Sequence, residues 1–508
     1  MPQHDAIVVG AGHNGLTCAC YLAKAGLRVL VVEASPTIGG MTTTRELVLP
    51  GFRTDVHASG YQLANLSSAP DELELRRFGL DLIRPEVSLC KAFPDGTCVS
   101  IHDSVDRTCA DIARTSVRDA EAWRTLYRGY LDGKDALRQE LESAPRPWAE
   151  MLAEDLRGPR AGERIRFRFQ SVRTWAEENF ESESMRILLA DFAGHAGFAP
   201  DDAGGAAFAF LFLAVIQDVG NRAVEGGMGR LAESLAACLA QHGGRIRTGA
   251  MVTRIRVGDG RAVGVDLADG TFLPAGVIAS SVHPRRLILE LLAHADLGRT
   301  LITDAEHYEV GAAQMGIYVA LSEPVHYSVG ATASSATQVH LMPPTIDSLA
   351  DAFRTARADR LPDEPSAFVV NEAAIDPGRV PEGRSALKVV LTTVPYDVDW
   401  PRLGAGYARS VLRSITERYI PDLEDKILAV SVMTPPDYEA DVSSAVHGTV
   451  THGAMTVYQQ GALRPTPELG QYKGPVGGLY LCGAGSHPGP GVSMMPGRNA
   501  AHLILAEL

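Results

Sequence analysis

The densest chemistry in the chain lies near its start, in Gly10-Ala11-Gly12-His13-Asn14-Gly15, with a carboxylate following at Glu33. Glycines at this spacing do three different things: Gly10 permits a tight turn, Gly12 lets backbone N–H groups approach a pyrophosphate, and Gly15 allows a helix to pack closely on the preceding strand. A helix beginning here adds partial positive charge for an anion. Glu33 would accept from both ribose hydroxyls, and its charge repels a 2′-phosphate. An adenine dinucleotide other than NADP is therefore expected, with a glycine-rich turn and an unrelated surface Glu as the alternative.

These residues need a βαβ unit to hold them, and the surrounding pattern supplies one. Asp5 to Val9 is a short β-branched apolar run, Gly15 to Ala25 places apolar side chains at helical spacing before Gly26, and Arg28 to Val32 is a second strand. After Glu33 and Ala34 comes Gly39-Gly40-Met41-Thr-Thr-Thr-Arg45. That second glycine pair lets the chain pass close to a phosphate or ring, which separates FAD from NAD. The segment resembles the FAD/NAD-linked reductase superfamily, in which strand, Glu, short loop and Gly-Gly recur with an Arg beside the glycines. Met41 or a Thr stands at that Arg position here, so a pyrophosphate contact by Arg45 is left open.

A third cluster, Glu225-Gly226-Gly227-Met228-Gly229, opens a helix to about Gln241, and short strands follow at Arg245–Arg247, around Val252, at Ala262–Leu267 and at Gly276–Ser280. A fourth closes the chain: Gly477 to Gly483 reads as a buried strand, Ala484 to Asn499 as a loop that approaches phosphate and ring, and Ala500 to Leu508 as a final helix. Backbone amides at such a helix start stabilise negative charge on a reduced flavin.

Taken with the N-terminal motif, this last segment resembles the phytoene desaturase-like (carotenoid oxidoreductase) family of FAD-dependent oxidoreductases, which includes carotenoid desaturases, isomerases, retinol saturase and pyridine nucleotide-disulfide oxidoreductase domain-containing proteins of the second type. The likeness extends over the whole chain, including Asp191-Phe-Ala-Gly194-His195-Ala-Gly197. It implies an α/β fold: a Rossmann-like FAD-binding domain of the glutathione reductase/amine oxidase type, with an inserted α+β substrate domain. It also implies a set of FAD contacts. Gly10, Gly12, His13, Asn14, Gly15, Glu33, Ala34, Gly39, Gly40, Met41 and Arg45 would hold the dinucleotide, Val252 would meet the adenine, and Gly483, Ala484, Ser486, Gly491, Val492, Ser493 and Met494 would line the flavin. The domains would be 1–75, 222–299 and 472–508 for the cofactor, and 76–221 and 300–471 for the substrate. Hydride would pass from an isoprenoid or polyene to flavin N5.

No acid/base pair has catalytic spacing on one element, and His57, His195, His452, Tyr458 and His487 are the candidates near expected flavin segments. Hydrolase and NTPase motifs are absent from the sequence. An amine oxidase on the same fold, a redox-neutral isomerase using reduced FAD, and a lipid-carrying escort protein without catalysis remain as alternatives.

The rest of the composition mainly excludes. A net charge of −14 argues against nucleic acid, and seven Cys without a Cys-x-x-Cys argue against a disulfide framework, a zinc site or a dithiol centre. No metal is expected, and the thiols fit a reducing cytoplasm. The start of the chain runs straight into a strand without a cationic leader, so no secretion signal is expected. The apolar stretch Ala206–Ile216 is short of the ~20 residues of a membrane span; it reads as a core helix, or as the wall of a hydrophobic tunnel or membrane-surface contact. Arg164 to Phe169 alternates charge and hydrophobe like an edge strand, and with Arg157, Arg160 and Arg173 it leaves docking to anionic lipid open. Homo-oligomerisation is also left open.

Overall fold

The computed structural model describes residues 4–508. Four short apolar runs, Ala6–Val9, Val29–Val32, Val277–Ser280 and Leu479–Leu481, are buried along their whole length. Strands covered on both faces have no solvent side to alternate with, which is why they read as unbroken hydrophobic stretches. They join Arg245–Arg247 in a five-stranded sheet of order Leu479–Leu481, Val277–Ser280, Ala6–Val9, Val29–Val32, Arg245–Arg247, parallel throughout. Ala6 stands opposite both Val29 and Val277.

Successive side chains of a strand point to opposite faces. Ala6 and Val8 pack on one side with the helices His13–Lys24, Gly229–Gln241 and Met495–Glu507, whereas Ile7 and Val9 pack on the other with a three-stranded antiparallel sheet, Val252–Gly258, Arg261–Leu267 and Phe272–Pro274. The final helix starts at Met495, ahead of the expected Ala500, because Pro496 lies in its first turn, where a missing N–H costs nothing.

The remaining chain builds a seven-stranded sheet, of order Ile427–Met433, Ala313–Leu321, Ser385–Val394, Ala367–Val370, Ala336–Met342, Val87–Ala92, Cys98–His102. Only the Ala336–Met342 and Val87–Ala92 pair is parallel among these. Trp400–Arg418 covers one face, and Val117–Leu141, Glu183–His195 and Gly205–Val219 join the core on the other. Buried with this sheet are a Lys91–Asp191 ion pair at 2.7 Å and a triad in which Arg379 meets both Asp55 and Glu372 at 3.1 Å.

The expected edge strand at Arg164–Phe169 is instead part of a helix, Ala161–Phe169. Six alternating residues are too few to exclude a helix, and Arg164 and Arg168, one turn apart, both reach Asp155. Its cations are largely matched by acids, Arg160 by Glu163 and Arg166 by Glu178. No helix among the described residues is long and apolar enough to cross a membrane.

Candidate functional site

Gly10 ends the first strand with φ +99° and donates to Val32 O at 2.8 Å. The helix after it starts at His13 with Gly12 as its cap; no capping side chain and no first-turn acid occupies its N–H groups. The helix start is thus left to an external anion.

The three glycines are required for different reasons. A β-carbon on Gly15 would stand 2.1 Å from Gly10 O, and one on Gly10 would stand 2.3 Å from Ser281 Oγ. On Gly12 it would meet nothing nearer than Gly39 O at 4.0 Å. Gly10 and Gly15 serve packing, while Gly12 keeps space open. The second glycine pair lies against that space: Gly39 N donates to Ala11 O at 2.9 Å, and Gly40, at φ +53°, faces the Gly12 Cα.

Glu33 closes the second strand with Oε2 accepting from Ala11 N at 2.6 Å and Oε1 accepting from Ser35 N at 2.8 Å. Each carboxylate oxygen retains further acceptor capacity. Beside it runs a cavity of about 740 Å³, within the range of small-molecule sites. Gly10, Gly12, His13, Asn14, Gly15, Glu33, Ala34, Gly40, Met41, Arg45, Val252, Gly483, Ala484 and His452 all line it. The strands ending at Val9, Val32, Ser280 and Leu481 bring their carboxyl ends to this cavity, as a parallel sheet does at that edge, and the antiparallel Val252–Gly258 strand adds its start.

Gly39, Ser486, Gly491, Val492, Ser493 and Met494 lie outside this wall. Val492 and Met494 hold φ +54° and +62° at the entry to the last helix. Positive φ at a β-branched residue is strained and is sustained only by surroundings that over-determine it.

The acid/base candidates disperse. His452 faces the cavity, itself at φ +51°, and burial pushes its imidazole down to about 4, as it does that of His13. His487 is buried against Glu140 O at 3.2 Å and is likewise held at about 4 by burial. His195 stacks on Phe192 and packs at a tilt against Phe368, with a buried Nδ1 that has no partner. Tyr458 donates to Glu309 on a separate cavity of about 760 Å³.

His57 bonds Asp441 at 2.8 Å, and Arg45 reaches the same carboxylate oxygen at 2.6 Å. Burial raises the Asp441 pKa, but these two partners outweigh it and hold the carboxyl below its ordinary value. Asp441 belongs to the segment Ala440–Ser444, which closes one side of the cavity and is fastened again where Arg286 donates to Ser443 O at 2.7 Å. Sequence reasoning missed this segment, as well as Ser281 and Arg286, because nothing in their spacing relates them to the glycine loops.

The residues present fit a dinucleotide. Open space lies over Gly12 and Gly40, the helix start is uncapped, and Asn14 Oδ1 and Arg45 Nε are buried at the wall without partners.

The model of the family described as flavin containing amine oxidoreductase matches residues 15–501. The chain is 28% identical to pyridine nucleotide-disulfide oxidoreductase domain-containing protein 2 of Mus musculus, over 100% of this chain and 94% of that one. It is 27% identical to hydroxyneurosporene desaturase of Cereibacter sphaeroides, over 99% of this chain and 97% of that one. A solved structure of a putrescine oxidase variant redesigned in its cofactor binding superposes with a TM-score of 0.65, covering 99% of each chain at 16% identity, which establishes likeness of fold.

Proposed function

The chain belongs to the flavin containing amine oxidoreductase family, and from that premise we propose that this FAD-dependent oxidoreductase dehydrogenates an apolar, isoprenoid-like substrate at a C–H bond. When bound, FAD would supply the electron sink for this oxidation. The chain's own residues supply position and dryness.

The Gly10–Gly15 loop and the uncapped helix start would hold the pyrophosphate, Glu33 the ribose hydroxyls, and the backbone at Val252 the adenine. Gly483 and Ala484 continue the wall, and the flavin would lie along Ser486 and Gly491 to Met494. We assign 1–75, 222–299 and 472–508 to the cofactor and the two intervening stretches to the substrate.

One observation carries the apolar substrate. Helix Gly205–Val219 buries Ala206, Ala209, Phe210, Leu213 and Ala214 on one face, yet its opposite face, Ala207, Phe208, Leu211 and Phe212, is as apolar and only half-buried. A core helix buries such a face and a surface helix makes it polar. Phe208 and Phe212 continue into a run of rings through Phe192 and His195 to Phe368. In this reading these rings would line a passage for a hydrophobic chain. The likeness to a hydroxyneurosporene desaturase supports the same substrate class.

Anaerobic mixing of the yellow holoenzyme with detergent-dispersed polyenes, with diamines and with NADH tests the assignment. Bleaching by a polyene is expected. Bleaching by an amine alone would replace it with an amine oxidase, and bleaching by NADH alone with a reductase. A colourless protein that releases no FAD on denaturation would favour a lipid carrier.

A further inference from the structure

Arg464 is the largest charged side chain fully enclosed in the protein, 1% exposed. Its guanidinium donates to Thr451 O at 2.7 Å, to Ala484 O at 3.0 Å and to Ala454 O at 3.3 Å, with longer contacts to His452 O and Gln459 O. No carboxylate lies within 4.0 Å of it among the described residues, whereas buried Arg379 has Asp55 and Glu372, and buried Lys91 has Asp191. Carbonyl dipoles satisfy its N–H groups but leave a net positive charge in a medium of low dielectric. Such a charge is tolerated where an opposite charge shares the space.

The position says where that opposite charge belongs. His452 and Ala484, two of the residues whose carbonyls Arg464 grips, both line the dinucleotide cavity. Nothing else in the cluster is anionic. Tyr308 donates to His452 O at 2.8 Å, and His283, His452 and Tyr308 stand around it as neutral rings. The field of the guanidinium is felt in the cluster, where it adds to burial in keeping His452, His283 and His487 unprotonated.

We propose that Arg464 is the fixed cation against which the negative charge of the bound cofactor is balanced, so that it sets both the retention of FAD and the ease with which FAD accepts electrons. This rests on the reading of the cavity as the FAD site. It makes Arg464 a positioning and electrostatic residue, distinct from a simple pin for the 451–455 and 484 segments.

The holoenzyme, Arg464→Lys and Arg464→Gln separate the two roles, because both variants lose the planar fork but only Lys keeps the charge. The readouts are the FAD dissociation constant, the two-electron potential and the affinity of the flavin for sulfite, an anion that adds to electron-poor flavins. Arg464→Gln should bind sulfite and retain FAD about tenfold less well, with reduction about tenfold harder, a shift near 30 mV for a two-electron couple; Arg464→Lys should stay within about threefold of wild type. Equal losses in both variants, or a Gln variant with wild-type potential, would overturn the proposal. Where Arg464→Gln fails to fold, the wild type and Arg464→Lys decide: a wild type that forms no sulfite adduct overturns it, and adducts of similar affinity in both support it. A wild type that carries no FAD would instead bring down the assignment of the cavity.

Discussion

Glu33 Oε2 accepts the Ala11 N–H at 2.6 Å, tying the end of the second strand to the middle of the glycine loop. The carboxylate thus shapes the loop before it can meet a ribose, and its loss removes both functions. Glu33→Ala should raise the FAD dissociation constant by about tenfold or more and lower the melting temperature, since a hydrogen bond to a charged group contributes about 1.5–3 kcal/mol. Glu33→Gln keeps one acceptor oxygen and should fall between. Flavin occupancy after dialysis measures it, and an undiminished occupancy in Glu33→Ala would exclude the ribose role.

Gly12 and Gly15 should respond differently to the same substitution. A β-carbon at residue 15 would lie 2.1 Å from a backbone oxygen, so Gly15→Ala should unfold the loop or the protein. At residue 12 the nearest atom is 4.0 Å away, so Gly12→Ala should melt like FAD-stripped wild type yet lose most of its FAD. A Gly12→Ala protein that is both stable and fully yellow would show that the open space is not where the phosphates lie.

These contrasts mark what was legible in the chain. The βαβ unit could be read because Asp5–Val9 and Arg28–Val32 are local patterns, and the glycines between them need only neighbouring residues to explain them. Gly10 and Gly483 meet on one cavity because their strands belong to the same parallel sheet, whereas Val252 reaches it from the start of a strand in the separate three-stranded sheet. Asp441 beneath Arg45 and His57 could not be read: nearly 400 residues separate them, and a lone Asp before Val-Ser-Ser carries no pattern. Arg464 was hidden for a related reason, since its partners are carbonyls and leave no trace in residue type. The Arg164–Phe169 segment misled because alternation is a strand signal only when one face is buried, and here no residue of the segment is buried.

Acid should loosen the fold. His13, His452 and His487 are each held near 4 by burial against 6.5 in the unfolded chain, so the unfolded state binds more protons between those values and stability rises with pH across them. Asp191, raised to about 6 by burial, and Glu372, also raised by burial, act in the opposite sense, against four histidines once His195, likewise held near 4, is included. The melting temperature should therefore climb from pH 4.5 to 6.5 and level off above. His487→Gln, which removes one titrating group away from the cavity wall, should make the climb shallower. A flat profile in the wild type would mean that these rings are hydrated and titrate normally.

The half-buried face of the Gly205–Val219 helix yields the most direct check on the substrate. Phe208 and Phe212 pack on each other at 5.4 Å between ring centroids, and neither belongs to the fully buried set, so a polar replacement there need not open the core. Phe212→Gln should leave the flavin spectrum and the melting temperature close to wild type. It should raise KM for a polyene at least tenfold, because losing contact with a buried aromatic surface of this size is worth about 1.5–3 kcal/mol. Phe210→Gln, two residues away and facing the core beside Trp123 and Trp175, should instead destabilise the protein. If Phe212→Gln turned over a polyene normally, the face would cover some other surface, and the passage would have to run along different walls.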